Sequence, residues 1–373
     1  MNQAGIDIVS IDVPSGLSSD TGELLGSCVR AAITVSLAAL KYCHVTAPAS
    51  KMCGEIFVVD IGIPVESTTA VVRSELVRSM LPHRRPDSHK GSFGHAVVIG
   101  GSVGKSGAPY MSGKATLRAG AGLSTVITPS NVQPIVATLG PEIMTISSAG
   151  NPNYFTYEAA VDTLTFVKDK DAVAIGPGMG SDEGSLTFFQ QVATAVTCAL
   201  VIDADGLNLL SRNKMSIAGR KKESTILTPH PGEMSRIAQL TTAEVQKDRV
   251  GVAKRIATEL QSIIVLKGYR TVIADPDGRV WINLTGGSSL ASGGTGDILT
   301  GLITGYLAQG LTPREAALTG VYAHGFVANL FESEFPQQAL NAMDILNYWN
   351  QAIHLIRTAS DLEGDYLKIH FRV

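Results

Sequence analysis

His95-Ala96-Val97-Val98-Ile99-Gly100 is a short apolar run that ends on glycine. A Gly-rich loop, Gly101-Ser102-Val103-Gly104-Lys105-Ser106-Gly107-Ala108, carries the chain from it into the helix-like Pro109–Ala119. An apolar run without polar alternation predicts a strand buried on both faces, and the helix behind it supplies one of the covers. The same unit recurs. Strands are predicted at Gly122–Ile127, Ala172–Ile175, Ala199–Ile202, Thr225–Leu227 and Ser262–Leu266, with helical stretches between most of them. Together they imply an α/β, Rossmann-like fold, a mostly parallel central sheet flanked by helices on both faces. Ligands collect beyond the carboxyl ends of strands in such sheets, so chemistry is expected in the loops there.

Composition narrows the function classes. The 373 residues, 45% hydrophobic and 17% charged, describe a globular protein large enough for one big domain plus an appendage, and Gly 38 suits many tight strand-to-helix loops. A net charge of −3 without a long basic run argues against nucleic acid or an acidic membrane as partner. Cys28, Cys43, Cys53 and Cys198 form no C-x-x-C pair, and neither a signal peptide nor a bilayer-length apolar span is visible. The expected setting is reducing cytoplasm.

The loop after the first strand is not a P-loop, because Gly100 leaves three residues before Gly104-Lys105-Ser106 where four are required. It suits close approach to a small ligand and equally a structural tight turn. Gly176-Pro177-Gly178-Met179-Gly180 follows the Ala172–Ile175 strand. Asp203-Ala204-Asp205-Gly206 puts two carboxylates after another strand, where capping of the next helix is preferred over a metal or polar-ligand role. In Thr228-Pro229-His230-Pro231-Gly232-Glu233 the prolines hold a His and a Glu at a strand end, suited to a ligand contact, a water-mediated Mg²⁺ contact or a rigid turn. Lys267-Gly268-Tyr269-Arg270-Thr271 ends the strand Ile263–Leu266, and a hairpin turning at Asp275–Gly278 comes next.

Gly293-Gly294-Thr295-Gly296-Asp297 follows the Gly/Ser-rich run from Gly286 to Ser292 and leads into an apolar helix. The free N–H groups and dipole at such a helix start attract an oxyanion. A carboxylate there is repelled by phosphate unless it has a task such as taking a proton from an attacking hydroxyl; helix capping is the plainer alternative for Asp297.

Before residue 80 the chain offers strands near Ile6–Val13, Ala32–Ala38 and Ile56–Ile61 and little helix-forming sequence, which is part of a domain rather than a complete layer. Leu81-Pro82-His83-Arg84-Arg85-Pro86 reads as a linker, giving expected segments 1–80, 81–90 and 91–360.

Taken in order, the six motifs from the Gly-rich loop to Gly-Gly-Thr-Gly-Asp resemble the ADP/ATP-dependent NAD(P)H-hydrate dehydratases of the ribokinase-like superfamily, over about His89 to Leu330. Asp12-Val13-Pro14-Ser15-Gly16 and Ala39-Leu40-Lys41 resemble the NAD(P)H-hydrate epimerase domain fused ahead of many bacterial dehydratases. The resemblance implies a truncated, C-terminal epimerase remnant over 1–80, inactive, with Asp12 and Ser15 idle. For the rest it implies dehydration of the S-epimer of hydrated NADH or NADPH, driven by ADP or ATP with Mg²⁺, through phosphorylation of the C6 hydroxyl and elimination of phosphate. Asp297 is the implied base. Ala108, Gly180, His230 and Asp297 are the implied contacts to the hydrated nucleotide, and Glu233 is an outer-shell partner for Mg²⁺. Lys267, Gly268, Tyr269, Arg270 and Thr271, with the loop Gly287 to Gly296 that includes Gly293, Gly294 and Thr295, are implied for ADP or ATP. A homo-oligomer is also implied. The alternatives are a ribokinase-like kinase of a small alcohol, which leaves a stable phosphorylated product, and a non-catalytic nucleotide-binding module.

Overall fold

Apolar strand sequences and Gly-rich turns sort into two sheets in the computed structural model, which describes residues 1–372. In chain order the strands are β1 Val9–Ile11, β2 Ile33–Leu37, β3 Glu55–Val59, β4 Thr69–Val72, β5 His95–Ile99, β6 Leu123–Pro129 and β7 Met144–Ser148. They continue with β8 Ala172–Ile175, β9 Ala199–Ile202, β10 Thr225–Leu227, β11 Ile263–Leu266, β12 Val272–Ala274, β13 Val280–Asn283 and β14 Ile369–Arg372. Ten of them form the main sheet, in the order β4-β13-β12-β11-β10-β9-β8-β5-β6-β7. The strands from β11 through β7 all pair in parallel, while β12 runs antiparallel to both its neighbours. All residues of β8, β10 and β11 are buried, as their unbroken apolar sequences require. Two large apolar clusters cover the two faces, so the expected mostly parallel, two-sided α/β fold is observed.

Three strands escaped the sequence reading for one reason. β4, β7 and β14 lie at sheet edges, and their short or partly polar sequences lack the apolar run that marks a central strand. β4 precedes the expected linker, yet it pairs with β13 in the main sheet. β14, from the far end of the chain, pairs with β3 and extends the small parallel sheet β1-β2-β3-β14. The small sheet's core is continuous with Ile282 and Leu284 of the main domain. Buried Glu363 accepts hydrogen bonds from the Ser74 amide (2.6 Å), the Ser74 hydroxyl (2.8 Å) and the Tyr322 hydroxyl (2.7 Å), tying the early and late segments together.

One helix pair sets the position of the Gly-Gly-Thr-Gly-Asp loop. The helix Thr295–Ala308 lies against Gly107–Ala119, and glycine at 301 and 305 allows the close approach. A Cβ at Gly301 would stand 2.1 Å from the Ser112 carbonyl oxygen and 2.6 Å from Ala115 Cβ; one at Gly305 would stand 2.5 Å from the Thr116 carbonyl oxygen. Alanine would add helix propensity worth about 1 kcal/mol, but a backbone carbonyl has no rotamer by which to withdraw. Overpacking should therefore win. Gly301→Ala is expected to lose about 1–3 kcal/mol in denaturant unfolding. Gly219→Ala, where an added Cβ meets nothing within 4 Å, should show no such loss.

Candidate active site

Three neighbouring parallel strands, β9, β10 and β11, end side by side, and the residue types that follow them converge. Asp203 follows β9, His230 and Glu233 follow β10, and Lys267 follows β11. Lys267 Nζ donates to Asp203 Oδ1 at 2.7 Å and lies 4.0 Å from Glu233 Oε2. The other carboxylate oxygen of Asp203 accepts the Thr300 hydroxyl at 2.6 Å, from the second turn of the helix that carries Asp297. Burial pushes the Asp203 carboxyl up, but Lys267 and the hydroxyls of Thr300 and Thr228 outweigh it and hold the group below its ordinary value. Burial likewise opposes charge on Lys267, and Asp203 and Glu233 reverse that, so the ammonium form persists. The preferred capping role for these carboxylates is therefore corrected. Asp203 anchors Lys267, and the following helix, Asp205–Arg212, has Ala204 at its N-cap and no side-chain cap.

Asp205 takes a different partner. Its Oδ2 accepts from Lys105 Nζ and from the Gly180 amide, both at 2.9 Å, which joins the Gly-rich loop to Gly176–Gly180. The Ser102 hydroxyl donates to the Gly178 carbonyl at 2.9 Å, and a Cβ at Gly178 would come within 3.2 Å of Ala108 Cβ. Ala108 and Gly180 thus belong to one wall.

Asp297 faces this charge cluster without a cation of its own. Burial pushes its carboxyl up, Asp203 and Asp205 push it further, and Lys267 only partly opposes them; the result is about 7. Glu233 is driven to about 7 as well, first by burial and then by Asp203, against the pull of Lys267. Glu233 Oε2 accepts the His230 amide at 2.8 Å, while His230 Nδ1 accepts the amides of Gly232 (3.0 Å) and Glu233 (3.3 Å). Two donors at Nδ1 place the imidazole proton on Nε2. Burial and the charge of Lys267 hold His230 below its ordinary value, leaving a neutral ring at the site's margin whose Nε2 lies 3.4 Å from Glu233 Oε1.

The anion-attracting loop divides into a closed half and an open half. Asn329 Oδ1 accepts the Gly286 amide at 2.8 Å and Glu332 Oε1 accepts the Ser289 amide at 2.9 Å, so the helix Pro313–Glu334 closes the first half. From Gly293 to Gly296 no hydrogen bond occupies the backbone N–H groups among the described residues. Gly294 has φ +89°, and a Cβ there would press on the Met111 side chain at 2.7 Å. A Cβ at Gly296 would lie 3.5 Å from Lys267 Nζ, which places that ammonium next to the open amides. Beneath the loop, buried His324 lies with Nε2 3.0 Å from the Thr295 carbonyl oxygen; burial lowers its pKa to about 4, so the neutral ring donates this hydrogen bond.

The remaining implied residues behave differently. Tyr269 is exposed, and Arg270 lies over its ring at 5.1 Å while donating to the Leu284 carbonyl. The Thr271 hydroxyl donates to the Gly268 carbonyl at 3.1 Å. None of these three side chains joins the Asp203–Lys267 pair. In the small sheet, Asp12 is ion-paired with Lys41 and accepts the Leu37 amide at 3.0 Å, and the Ser15 carbonyl accepts the Val29 amide at 2.9 Å. Sequence reasoning missed the roles of Thr300, His324, Asn329 and Glu332, since nothing local marks a polar residue inside an apolar helix as a partner for a distant loop.

Comparison with known proteins bears on the family and the fold. A family model described as NAD(P)H-hydrate dehydratase matches residues 96–351. A second, described as YjeF-related protein N-terminus, matches residues 1–43. The expected C-terminal epimerase remnant over 1–80 is corrected to that shorter match, in keeping with β4 belonging to the main sheet. The bifunctional NAD(P)H-hydrate repair enzyme Nnr of Moorella thermoacetica is 39% identical over 355 residues, covering 93% of this chain and 67% of that protein. The ADP-dependent (S)-NAD(P)H-hydrate dehydratase of Bacillus subtilis is 38% identical over 271 residues, 73% of this chain and 93% of that one. A crystal structure of the ADP/ATP-dependent NAD(P)H-hydrate dehydratase from Bacillus subtilis, co-crystallized with ATP/Mg²⁺, superposes with a TM-score of 0.65 at 34% identity, over 77% of this chain and 98% of that one. With its six loop motifs on the carboxyl edge of one sheet and the family match spanning them, this chain belongs to the NAD(P)H-hydrate dehydratase family.

Proposed function

We propose that this chain restores hydrated NADH and NADPH by phosphoryl transfer from ADP or ATP, with Asp297 as general base. The observation that carries the reading is a carboxyl with a pKa near 7 in the first helical turn, beside four unoccupied backbone N–H groups and a partly buried ammonium. A group with that pKa is ionised often enough at neutral pH to take a proton and basic enough to do so usefully. Asp297 removes the proton as the C6 hydroxyl oxygen bonds to the terminal phosphorus of the nucleotide. The amides of Gly293 to Gly296 stabilise the charge on the transferring group, and Lys267 supplies a fixed positive field. Expulsion of phosphate by the ring-nitrogen lone pair, with loss of the C5 proton, then restores the dihydropyridine.

Ala108, Gly180 and the His230 Nε2–H form the wall that receives the hydrated nucleotide. Lys267 to Thr271 and the open half of the Gly-rich loop receive ADP or ATP, where the exposed Tyr269 ring offers a flat surface. The donor set suits Mg²⁺ only at one remove: Asp203 is committed to Lys267 and Thr300, and Glu233 has an ammonium 4.0 Å away. Glu233 would hold the hydrated ion through water, and the ion would neutralise phosphate charge. A kinase of a small alcohol would share the anion loop, but the Thr228–Glu233 segment and the dehydratase family match do not favour it. No helix among the described residues is long and apolar enough to cross a membrane, and we place the reaction in the cytoplasm.

Asp297→Asn is expected to retain nucleotide binding by calorimetry while lowering kcat by about 10²–10⁴-fold. The assay is recovery of the reduced-nicotinamide absorbance from hydrated NADH with ADP or ATP and Mg²⁺; a wild-type kcat in that variant would remove Asp297 from the role. Because the ionised carboxyl is the active form and its pKa is raised to about 7, kcat/KM should climb with pH through about 7 and level off above it. That limb should persist in Glu233→Gln; its disappearance would assign the titration to Glu233. Asp12→Asn and Ser15→Ala should leave the dehydration rate unchanged, and the chain should not interconvert the two C6 epimers followed by chromatography.

A further inference from the structure

A second cavity lies at the opposite ends of the two helices that build the reaction site. Gly107–Ala119 and Thr295–Ala308 present their N-termini to the catalytic loops and their C-termini to this cavity, about 20 Å away at 1.5 Å per residue. Its volume, about 580 Å³, is that of a site for a small metabolite. The floor is aromatic. Tyr306 and Trp349, each 2% exposed, stand with ring centroids 6.4 Å apart and line the space. Among the described residues neither the Tyr306 hydroxyl nor the Trp349 indole N–H has a hydrogen-bond partner, and neither atom is among the fully sealed unpaired ones, which leaves both in reach of the cavity they line. Burial pushes the tyrosine pKa up, so its hydroxyl remains a neutral donor.

The rim is basic. Arg84, Arg118 and Arg357 line it, and no carboxylate does among the described residues. Arg84 is partly spoken for, since it donates to the Gly120 carbonyl and lies 3.8 Å from the Phe93 ring centroid. Arg357 gives one N–H to the Pro82 carbonyl at 2.8 Å, and Arg118 makes no hydrogen bond among the described residues, its charge acting on Glu142. The two helix C-termini oppose an anion here through their dipoles. That effect is blunted because Gln309 donates to the carbonyls of Ala119 (2.9 Å) and Gly305 (2.8 Å), and Arg84 covers that of Gly120. Full guanidinium charges then outweigh half-charges already satisfied.

We infer that this cavity is a second ligand site, distinct from the reaction site, for a phosphomonoester joined to a planar ring. Each aromatic shows only an edge to the cavity, so the Trp349 indole N–H and the Tyr306 hydroxyl would donate to acceptors on the ring, with the phosphate held by Arg118 and Arg357.

The chain has two tryptophans, and Trp349 reports on the cavity directly. The test titrates the native chain and Arg118→Ala/Arg357→Ala with AMP, following indole fluorescence; both arginines are exposed, so the variant should fold. AMP at the reaction site would act alike on both proteins, so only their difference is read. Saturable quenching in the native chain, weakened at least tenfold in the double variant and by Tyr306→Phe to a smaller degree, is the expected result. Adenosine alone and inorganic phosphate alone should each bind more weakly than AMP. Identical curves for the native chain and the double variant, or no saturation, would overturn the site; equal binding of phosphate and AMP would overturn the ring recognition.

Discussion

The ammonium of Lys267 is the one positive charge inside a ring of carboxylates, and the site depends on how it is shared. Asp203 holds it at 2.7 Å, Glu233 stands at 4.0 Å, and Asp297 feels it more weakly than it feels burial. A buried charge of either sign is costly alone, and breaking such a pair by removing one partner typically loses about 3–5 kcal/mol. The pair is also a joint. Asp203 belongs to the end of β9, Lys267 to the end of β11, and Thr300, on the second oxygen of Asp203, to the helix of Asp297. Charge balance and geometry are therefore set together: burial raises Asp297 and Glu233, and Lys267, held by Asp203, offsets that only in part.

Around that joint the backbone is held from several sides so that a few amides stay free. Asn329 and Glu332 occupy the first half of the Gly/Ser-rich loop, and His324 holds the Thr295 carbonyl from below. What is left open, Gly293 to Gly296, ends beside Lys267. Closing one half of the loop fixes the other half without using its donors, which is what preorganisation for a transferring phosphoryl group requires.

The small sheet follows a different logic. Its three early strands carry too few helices to cover them, and it is completed by β14 from the opposite end of the chain and by apolar side chains of β13 and the residues after it. Glu363, buried with three hydrogen-bond donors, fastens that return. The early segment and the main domain are thus one packed structure even though two family models divide the sequence between them.

Much of this was legible locally. Unbroken apolar runs such as Ile263–Leu266 show a buried strand because no other environment accepts four such residues, and clustered glycines show where the chain must turn tightly beside a ligand. The order of the loops carried the family resemblance, and Asp297 stood out because a carboxylate beside a phosphate-attracting helix end needs a reason. Edge strands β4, β7 and β14 did not show, since their pairing partners, not their own residues, make them strands. Asp203 was visible as a residue but not as the partner of Lys267, 64 positions on, or of Thr300, 97 positions on. The sequence by itself determined the parallel sheet, the placing of the loops and the candidate base, all consequences of neighbouring residues. Only the tertiary structure decided which carboxylates are paired and which are left near pH 7, because burial and ionic pairing arise from groups that the chain brings together over long separations.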